Sequence, residues 1–271
     1  MLKQRVLTAV VLALILVGCL LLQDPLWTRL LFTVLLFAAT YELILLTLRI
    51  TRPQALVGAL PFIALFWWSG GYVSALLIYW QSLVGAILWV LIATGLCFYR
   101  HNGNWPLPAR LLLLGLGLDL LWICGHGLVF LQQNYGAAML FYLLSLVWVA
   151  DIGAYFIGKR FGRNKLAPAI SPGKTREGLL GGLAGSLLWM TLVYQFSEGW
   201  GLALLPFLLI SAVTSLASVC GDLFESVLKR EAGVKDSGKL LPGHGGVLDR
   251  IDGVLSATPV FLCGILFAGQ M

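Results

Sequence analysis

Residues 75–98 read ALLIYWQSLVGAILWVLIATGLCF. These 24 residues contain no Asp, Glu, Lys or Arg. As a helix rising 1.5 Å per residue they span about 36 Å, enough to cross a hydrocarbon core of about 30 Å. Lipid offers no partner to open backbone N–H and C=O groups, so such a segment has to be helical. Val6–Leu22, Leu30–Leu48 and Leu202–Val219 have the same character. The whole chain agrees: 59% of its residues are apolar and 11% charged, against about 25% charged in an ordinary soluble domain, and its mean hydropathy is +0.92.

Cutting the apolar runs at their polar breaks gives nine segments, at 6–22, 28–48, 54–68, 73–98, 110–131, 136–158, 178–195, 202–220 and 253–268. The third is the shortest. The expected fold is therefore all-α: a polytopic integral membrane protein with about nine transmembrane helices. It forms one domain over 1–271, with 1–135 mainly scaffold helices and 136–271 supplying catalytic helices and cytoplasmic loops. The first segment follows Lys3 and Arg5, as a signal peptide would, but its apolar core is longer than the usual 7 to 15 residues and no A-x-A-like site follows, so it is read as a retained helix.

With the N-terminus inside, 17 of the 18 Lys and Arg residues fall in inside loops and only Arg29 lies outside, which obeys the positive-inside rule. The active face is thus expected at the cytoplasmic side of a cell membrane, a bacterial inner membrane. The net charge of +6 describes that one face and suits anionic headgroups; the bilayer is the expected partner and nucleic acid is not. A homodimer is compatible with the chain. The five cysteines, Cys19, Cys97, Cys124, Cys220 and Cys263, form no C-x-x-C pair and sit in or beside apolar runs, which suggests neither a disulfide framework nor a zinc site. Gly178 and Gly182, and Gly181 and Gly185, are spaced by four, a pattern that lets helices approach closely.

Chemistry-bearing residues gather in three later stretches. Asp151 in LVWVADIGAYFIGKR lies about 10 Å inside the membrane from the helix end at Gly158; an ionisable group there marks a functional site or a salt bridge to a neighbouring helix. The loop ISPGKTREG, residues 170–178, resembles the end of a P-loop, but Pro168 stands where the G-x-x-x-x-G-K-[ST] pattern requires glycine. Its Ser171, Lys174, Thr175 and Arg176 nonetheless suit phosphate, just before a helix N-terminus that favours anions; a solvated basic connection is the plainer alternative.

The third stretch runs from Gly221 to Gly253. On a helix continuing past Cys220, Asp222, Glu225, Ser226 and Lys229 share one face. Beyond it, LPGHGGVLDRIDG, residues 241–253, packs four glycines, His244, Arg250, Asp249 and Asp252 into one short segment. Asp249 and Asp252 would share a face entering the last helix, as helix-capping acids would too. Carboxylates, cations and glycines together suit metal-assisted phosphate chemistry, since magnesium prefers oxygen ligands and is commonly completed by substrate phosphates, while glycines let backbone N–H groups approach them. His244 alone is more often a hydrogen-bonding partner than a metal ligand.

The run Ser226-x-Leu228-Lys229-Arg230, then Lys235-Asp236-x-Gly238, then Pro242-x-His244-Gly245-Gly246-Val247-x-Asp249-Arg250-Ile251-Asp252 resembles the signature of the phosphatidate cytidylyltransferases, or CDP-diacylglycerol synthases. The D-I-G-A-Y, I-S-P-G-K-T-R-E-G and G-D-L-F-E-S segments upstream are similar to that family as well, so the resemblance covers about Asp151 to Asp252. It implies a nucleotidyltransferase of phospholipid biosynthesis that takes CTP and phosphatidic acid to CDP-diacylglycerol and pyrophosphate, with Mg²⁺ and room for a second cation. On that reading Asp222 and Asp249 hold the metal, with Glu225 and Asp252 as nearby carboxylates. Lys229 and Arg230 join the catalytic group, and Ser171, Lys174, Thr175, Ser226, His244, Gly245, Gly246 and Asp151 line the substrates.

Asp119 and His126 lie seven apart on one helical face outside the resemblance, and a structural pair is expected there. Two rivals fit less well. A CDP-alcohol phosphotransferase would continue Asp252-Gly253 toward an Ala-Arg pair, where Val254 and Leu255 stand. A transporter using Glu42, Asp119 and Asp151 would place its acids near the midplane within inverted repeats, whereas most acids here cluster at one surface.

Overall fold

A computed structural model describes residues 2–22, 24–100 and 105–269, without the side chains of residues 2–7, Ala9 and Glu198. Lys3 and Arg5, counted above among the inside charges, therefore lie outside the described side chains. Eight helices and one short hairpin follow in chain order: α1 (Leu2–Leu21), α2 (Pro25–Leu48), α3 (Arg52–Ser69), α4 (Ala75–Phe98), α5 (Leu107–Phe161), β1 (Lys165–Ala167), β2 (Ser171–Thr175), α6 (Arg176–Ser197), α7 (Leu204–Ala232) and α8 (Leu248–Ala268), with a 3₁₀ turn at Glu198–Gly201 between α6 and α7.

Helix ends fall where capping chemistry puts them. The carboxylate of Asp24 accepts from Leu26 N at 2.9 Å with Pro25 in the first turn of α2, and Ser74 accepts from Leu77 N at 3.2 Å to start α4. At 55 residues, α5 is far longer than a bilayer needs. It breaks at Gly136, with φ 83° and ψ 171°, a backbone state that favours glycine. Leu128 and Leu144, on opposite sides of the break, line the same cavity, so the chain doubles back there into two arms of membrane-spanning length.

The all-α polytopic architecture is present, but the count of nine spans is corrected. Among the described residues six helices are long and apolar enough to cross a membrane (α2, α4, α5, α6, α7 and α8), with Val10–Leu21 as a shorter apolar helix. The fifth and sixth expected segments are the arms of α5, and α3, diluted by Arg52, Gln54 and two prolines, does not qualify. The hairpin is an addition that the sequence did not suggest.

The bundle core is built from α2, α5, α7 and α8, around Leu43, Leu120, Leu131, Leu143, Ala257 and Leu262, each at most 2% exposed. The glycine spacing in α6 packs it on the second arm of α5: a Cβ on Gly178 would stand 2.8 Å from Ala154 O, and one on Gly182 would stand 2.7 Å from Ala150 O, so larger residues would push the helices apart. All five cysteines are free; Cys124 is buried and Cys97 exposed. Asp119 and His126 do not form the expected pair. His126 instead shares hydrogen bonds with Ser69 Oγ at 3.0 Å and Trp122 O at 3.1 Å.

At the C-terminal ends of α2, α4 and α7 the chain is tied together by polar contacts. Arg49, the left-handed cap of α2, donates to Glu231 O on α7. Tyr99, just past α4, donates to Glu231 Oε1 at 2.5 Å; burial and that carboxylate push its hydroxyl well above the ordinary tyrosine range.

Candidate active site

The chemistry assembles where the C-terminal ends of α5 and α7 and the N-terminal end of α8 meet the hairpin between α5 and α6. The hairpin is antiparallel, pairing Lys165 with Thr175 and Ala167 with Ser171. Three contacts hold it. Ile170, 2% exposed, inserts against Leu223 and Val227 of α7, and Ile170 O accepts from Arg230 Nε at 3.1 Å. Glu177 accepts from the backbone N–H groups of Arg163 and Asn164 and from Asn164 Nδ2, the last at 2.7 Å. Thr175, buried, accepts from Gly178 N at 3.0 Å and so starts α6. Thr175 is thereby spent on the helix start, and Arg230 on fixing the hairpin.

This framework presents Lys174 to α7, where its Nζ lies 2.6 Å from Asp222 Oδ2. Ser226 Oγ points at the other Asp222 oxygen from 3.4 Å. Gly221, beside Asp222, meets α8 at Asp252: a Cβ there would come 2.0 Å from Asp252 O, so only glycine lets the two acid-bearing turns face each other this closely. Asp252, its Oδ1 accepting from Gly253 N at 2.8 Å, lies within electrostatic range of Asp222, Asp151 and Lys174. Asp151, on the second arm of α5, feels Asp222, Lys174 and Arg250. Three carboxylates from three helices thus converge around one hairpin lysine.

A second group sits beside it. Lys229 Nζ donates to Asp249 Oδ1 at 2.7 Å and to Glu225 Oε2. Asp249 Oδ2 accepts from Gly246 N at 2.8 Å, Ser237 N at 2.9 Å and Ser237 Oγ at 3.0 Å. Lys229, expected at phosphate, and Asp249, expected at the metal, thus pair with each other here. Glu225 Oε1, buried, has no partner among the described residues.

Sequence reasoning missed the residue underneath this group. Glu42 of α2, fully buried, accepts from Ser237 Oγ at 2.8 Å, Leu248 N at 2.9 Å and Val247 N at 3.1 Å. It caps α8 from another helix, where Val247 in the cap position offers no side-chain cap. Glu42 also explains part of the glycine cluster: a Cβ on Gly246 would lie 2.3 Å from its carboxylate. Gly245 adopts φ 85°, and its carbonyl accepts from Leu241 N at 3.0 Å to close the turn. A buried acid in α2 was visible in the sequence only as an anomaly, because its partners lie about 200 positions away.

The metal expectation can be tested against the donor chemistry. Among the described residues no three His, Cys, Asp or Glu side chains gather tightly enough to hold an ion by themselves. Magnesium commonly takes one or two carboxylates and completes its shell with water and substrate phosphate. Asp222 and Asp252, facing each other beside Lys174, fit that arrangement; Asp249 and Glu225, both paired with Lys229, fit it less well.

The profile of the cytidylyltransferase family matches residues 3–267. A phosphatidate cytidylyltransferase of Pseudomonas aeruginosa is 40% identical over 291 aligned residues, covering 99% of this chain and 98% of the relative. One of Haemophilus influenzae is 34% identical, covering 96% and 97%, and one of Bacillus subtilis is 42% identical over 139 residues, about half of each chain. With its charged residues gathered at one end of the helices, a family profile over residues 3–267 and two relatives aligned over nearly their whole length, this chain belongs to the cytidylyltransferase family.

Proposed function

We propose that this protein transfers the cytidylyl group of CTP to phosphatidic acid, forming CDP-diacylglycerol and releasing pyrophosphate, at the cytoplasmic face of a cell membrane. The observation that carries this reading is the convergence of Lys174 with Asp222, Asp252 and Asp151 at the membrane boundary. There a water-soluble nucleotide and a lipid headgroup can meet.

In the reaction an oxygen of the lipid phosphate attacks the α-phosphorus of CTP. A new P–O bond forms as the bond to the β-phosphate oxygen breaks, and pyrophosphate leaves with the electron pair. A phosphate monoester is already ionised at neutral pH, so no general base is needed, which agrees with a site that has acids and cations but no serine–histidine arrangement. What remains is positioning and charge neutralisation. Asp222 and Asp252 are the residues that would hold magnesium, which when bound supplies charge neutralisation to the phosphates. Lys174, carried on a hairpin held by Ile170 and Glu177, would offer its ammonium to phosphate, and Ser171 and Ser226 would offer hydroxyls. Lys229, Asp249 and Glu42 hold the wall formed by the 236–248 segment and thereby the start of α8.

The direct test incubates the purified protein in detergent with CTP, phosphatidic acid and Mg²⁺ and follows CDP-diacylglycerol and pyrophosphate. Equimolar formation of both is expected; pyrophosphate without the nucleotide lipid would instead indicate a CTP pyrophosphatase. The orientation is checked by a single cysteine at the exposed Lys239 in a cysteine-free background, blocked by impermeant reagent only in inside-out vesicles, against one at Ser197 blocked only from outside.

A further inference from the structure

Beside the 241–247 segment an apolar cavity of about 410 Å³ runs down into the membrane-spanning region. Its walls are Ala13 and Leu16 of α1, Leu35 of α2, Leu128 and Leu144 from the two arms of α5, and Val254 of α8. Its size falls within the usual range of small-ligand sites, but the walls offer a hydrocarbon contact and a nucleotide almost no hydrogen bonds.

The mouth differs from the shaft. It is formed by His244 and Arg250. His244 Nδ1 is buried with no partner among the described residues, and Arg250 donates through Nε at 3.2 Å and Nη2 at 2.9 Å to His244 O. Arg250 also lies within electrostatic range of Asp151, which sets the mouth next to the Lys174–Asp222 pair. One end therefore suits an anion beside the reacting groups and the other suits an alkyl chain. Thr8 Oγ1 donates to Pro242 O at 3.1 Å, tying α1 to the segment that forms the mouth and making α1 the outer wall.

We propose that this cavity holds one acyl chain of the lipid substrate, with its phosphate at Arg250 and His244, and that Ala13 and Leu16 of α1 determine which chain lengths are accepted; this rests on the cytidylyl-transfer reading above. Leu16 lies about 12 Å along α1 beyond Thr8, so a hexanoyl chain ends short of it and an oleoyl chain passes it. Lipid tails already surround the substrate, so selection comes from steric fit rather than from removal of water.

The test compares kcat/KM for dioleoyl and dihexanoyl phosphatidic acid in one detergent. Leu16→Trp should lower the dioleoyl-to-dihexanoyl ratio on the order of tenfold, the usual size of an overpacking penalty. Leu14→Trp, on the opposite, 66% exposed side of α1, should leave the ratio unchanged. If Leu16→Trp does not accumulate folded, Ala13→Trp reads the same ratio. An unmoved ratio in an active Leu16→Trp or Ala13→Trp enzyme, or an equal shift in Leu14→Trp, overturns the acyl-chain site. Absence of CDP-diacylglycerol from the unmodified protein with both lipids would instead overturn the activity reading.

Discussion

Where the C-terminal end of α7 meets the N-terminal end of α8, two lysine–carboxylate groups lie side by side and are wired in opposite ways. In one, Lys229, Glu225 and Asp249 have side chains 14%, 2% and 7% exposed, and both oxygens of Asp249 are filled by donors of the protein itself. In the other, Lys174 and Asp222 are 23% and 34% exposed, and Asp252 and Asp151 add negative charge that Lys174, with Arg250 near Asp151, does not balance. A closed network, satisfied at both oxygens of Asp249, specifies a shape. An open one with surplus negative charge is available to a cation and its phosphates. The contrast separates residues that hold the site from residues that would meet substrate, although all of them belong to one signature.

The largest expected effect lies in the open group. Asp222→Asn keeps the side-chain size but removes the charge that holds a hard cation, and cytidylyl transfer should fall about 10²- to 10³-fold, the range seen when electrostatic support of a reacting group is removed. Because Asp222 is partly exposed and not a fold anchor, its melting temperature in detergent should stay near that of the unmodified protein. Asp252→Asn should behave alike. Near-normal turnover in both would remove the cation role from the open group.

Asp249→Asn is the matching break in the closed group. Its amide N–H₂ must face either the Lys229 ammonium or the donors of Ser237 and Gly246, so a donor is set against donors. That loss costs about 1–3 kcal/mol, read as a melting point lowered by several degrees and accompanied by a smaller loss of activity, on the order of tenfold. A large loss of turnover with no change in melting would show that Asp249 meets the metal directly and that the two groups are not distinct.

The sequence made the members of the two groups easier to read than their wiring. Asp222, Glu225, Ser226 and Lys229 fall on one helical face by periodicity alone, and the membrane architecture followed from long uncharged runs. What it did not reveal is which carboxylate is already spoken for. That depends on Ser237 and Glu42, brought in from a loop and from α2 by tertiary packing, and no local pattern encodes such a contact. Likewise, Lys174 was read in a loop, while the structure holds it on a strand fixed by Ile170 and Glu177. The number of spans depended on α1 and α3, whose apolar runs are too short or too diluted to qualify.

The smallest expected effect is at Asp24, and it calibrates the other substitutions. Asp24 is a simple N-cap: its carboxylate accepts one backbone N–H, from Leu26 at 2.9 Å, on the side of the membrane opposite the site. Asn and Asp are about equally good in that role, so Asp24→Asn should change neither melting temperature nor turnover measurably, and Asp24→Ala should cost about 1 kcal/mol of stability with kcat/KM intact. The same Asp-to-Asn exchange is thus expected to be silent where a carboxylate caps one helix and costly where it joins four donors, as Asp249 does. If Asp24→Asn reduced activity as much as Asp249→Asn, the loss at Asp249 would reflect a general intolerance of this membrane bundle to lost charge, and the distinction between the closed and open groups would have to rest on Asp222 and Asp252 alone.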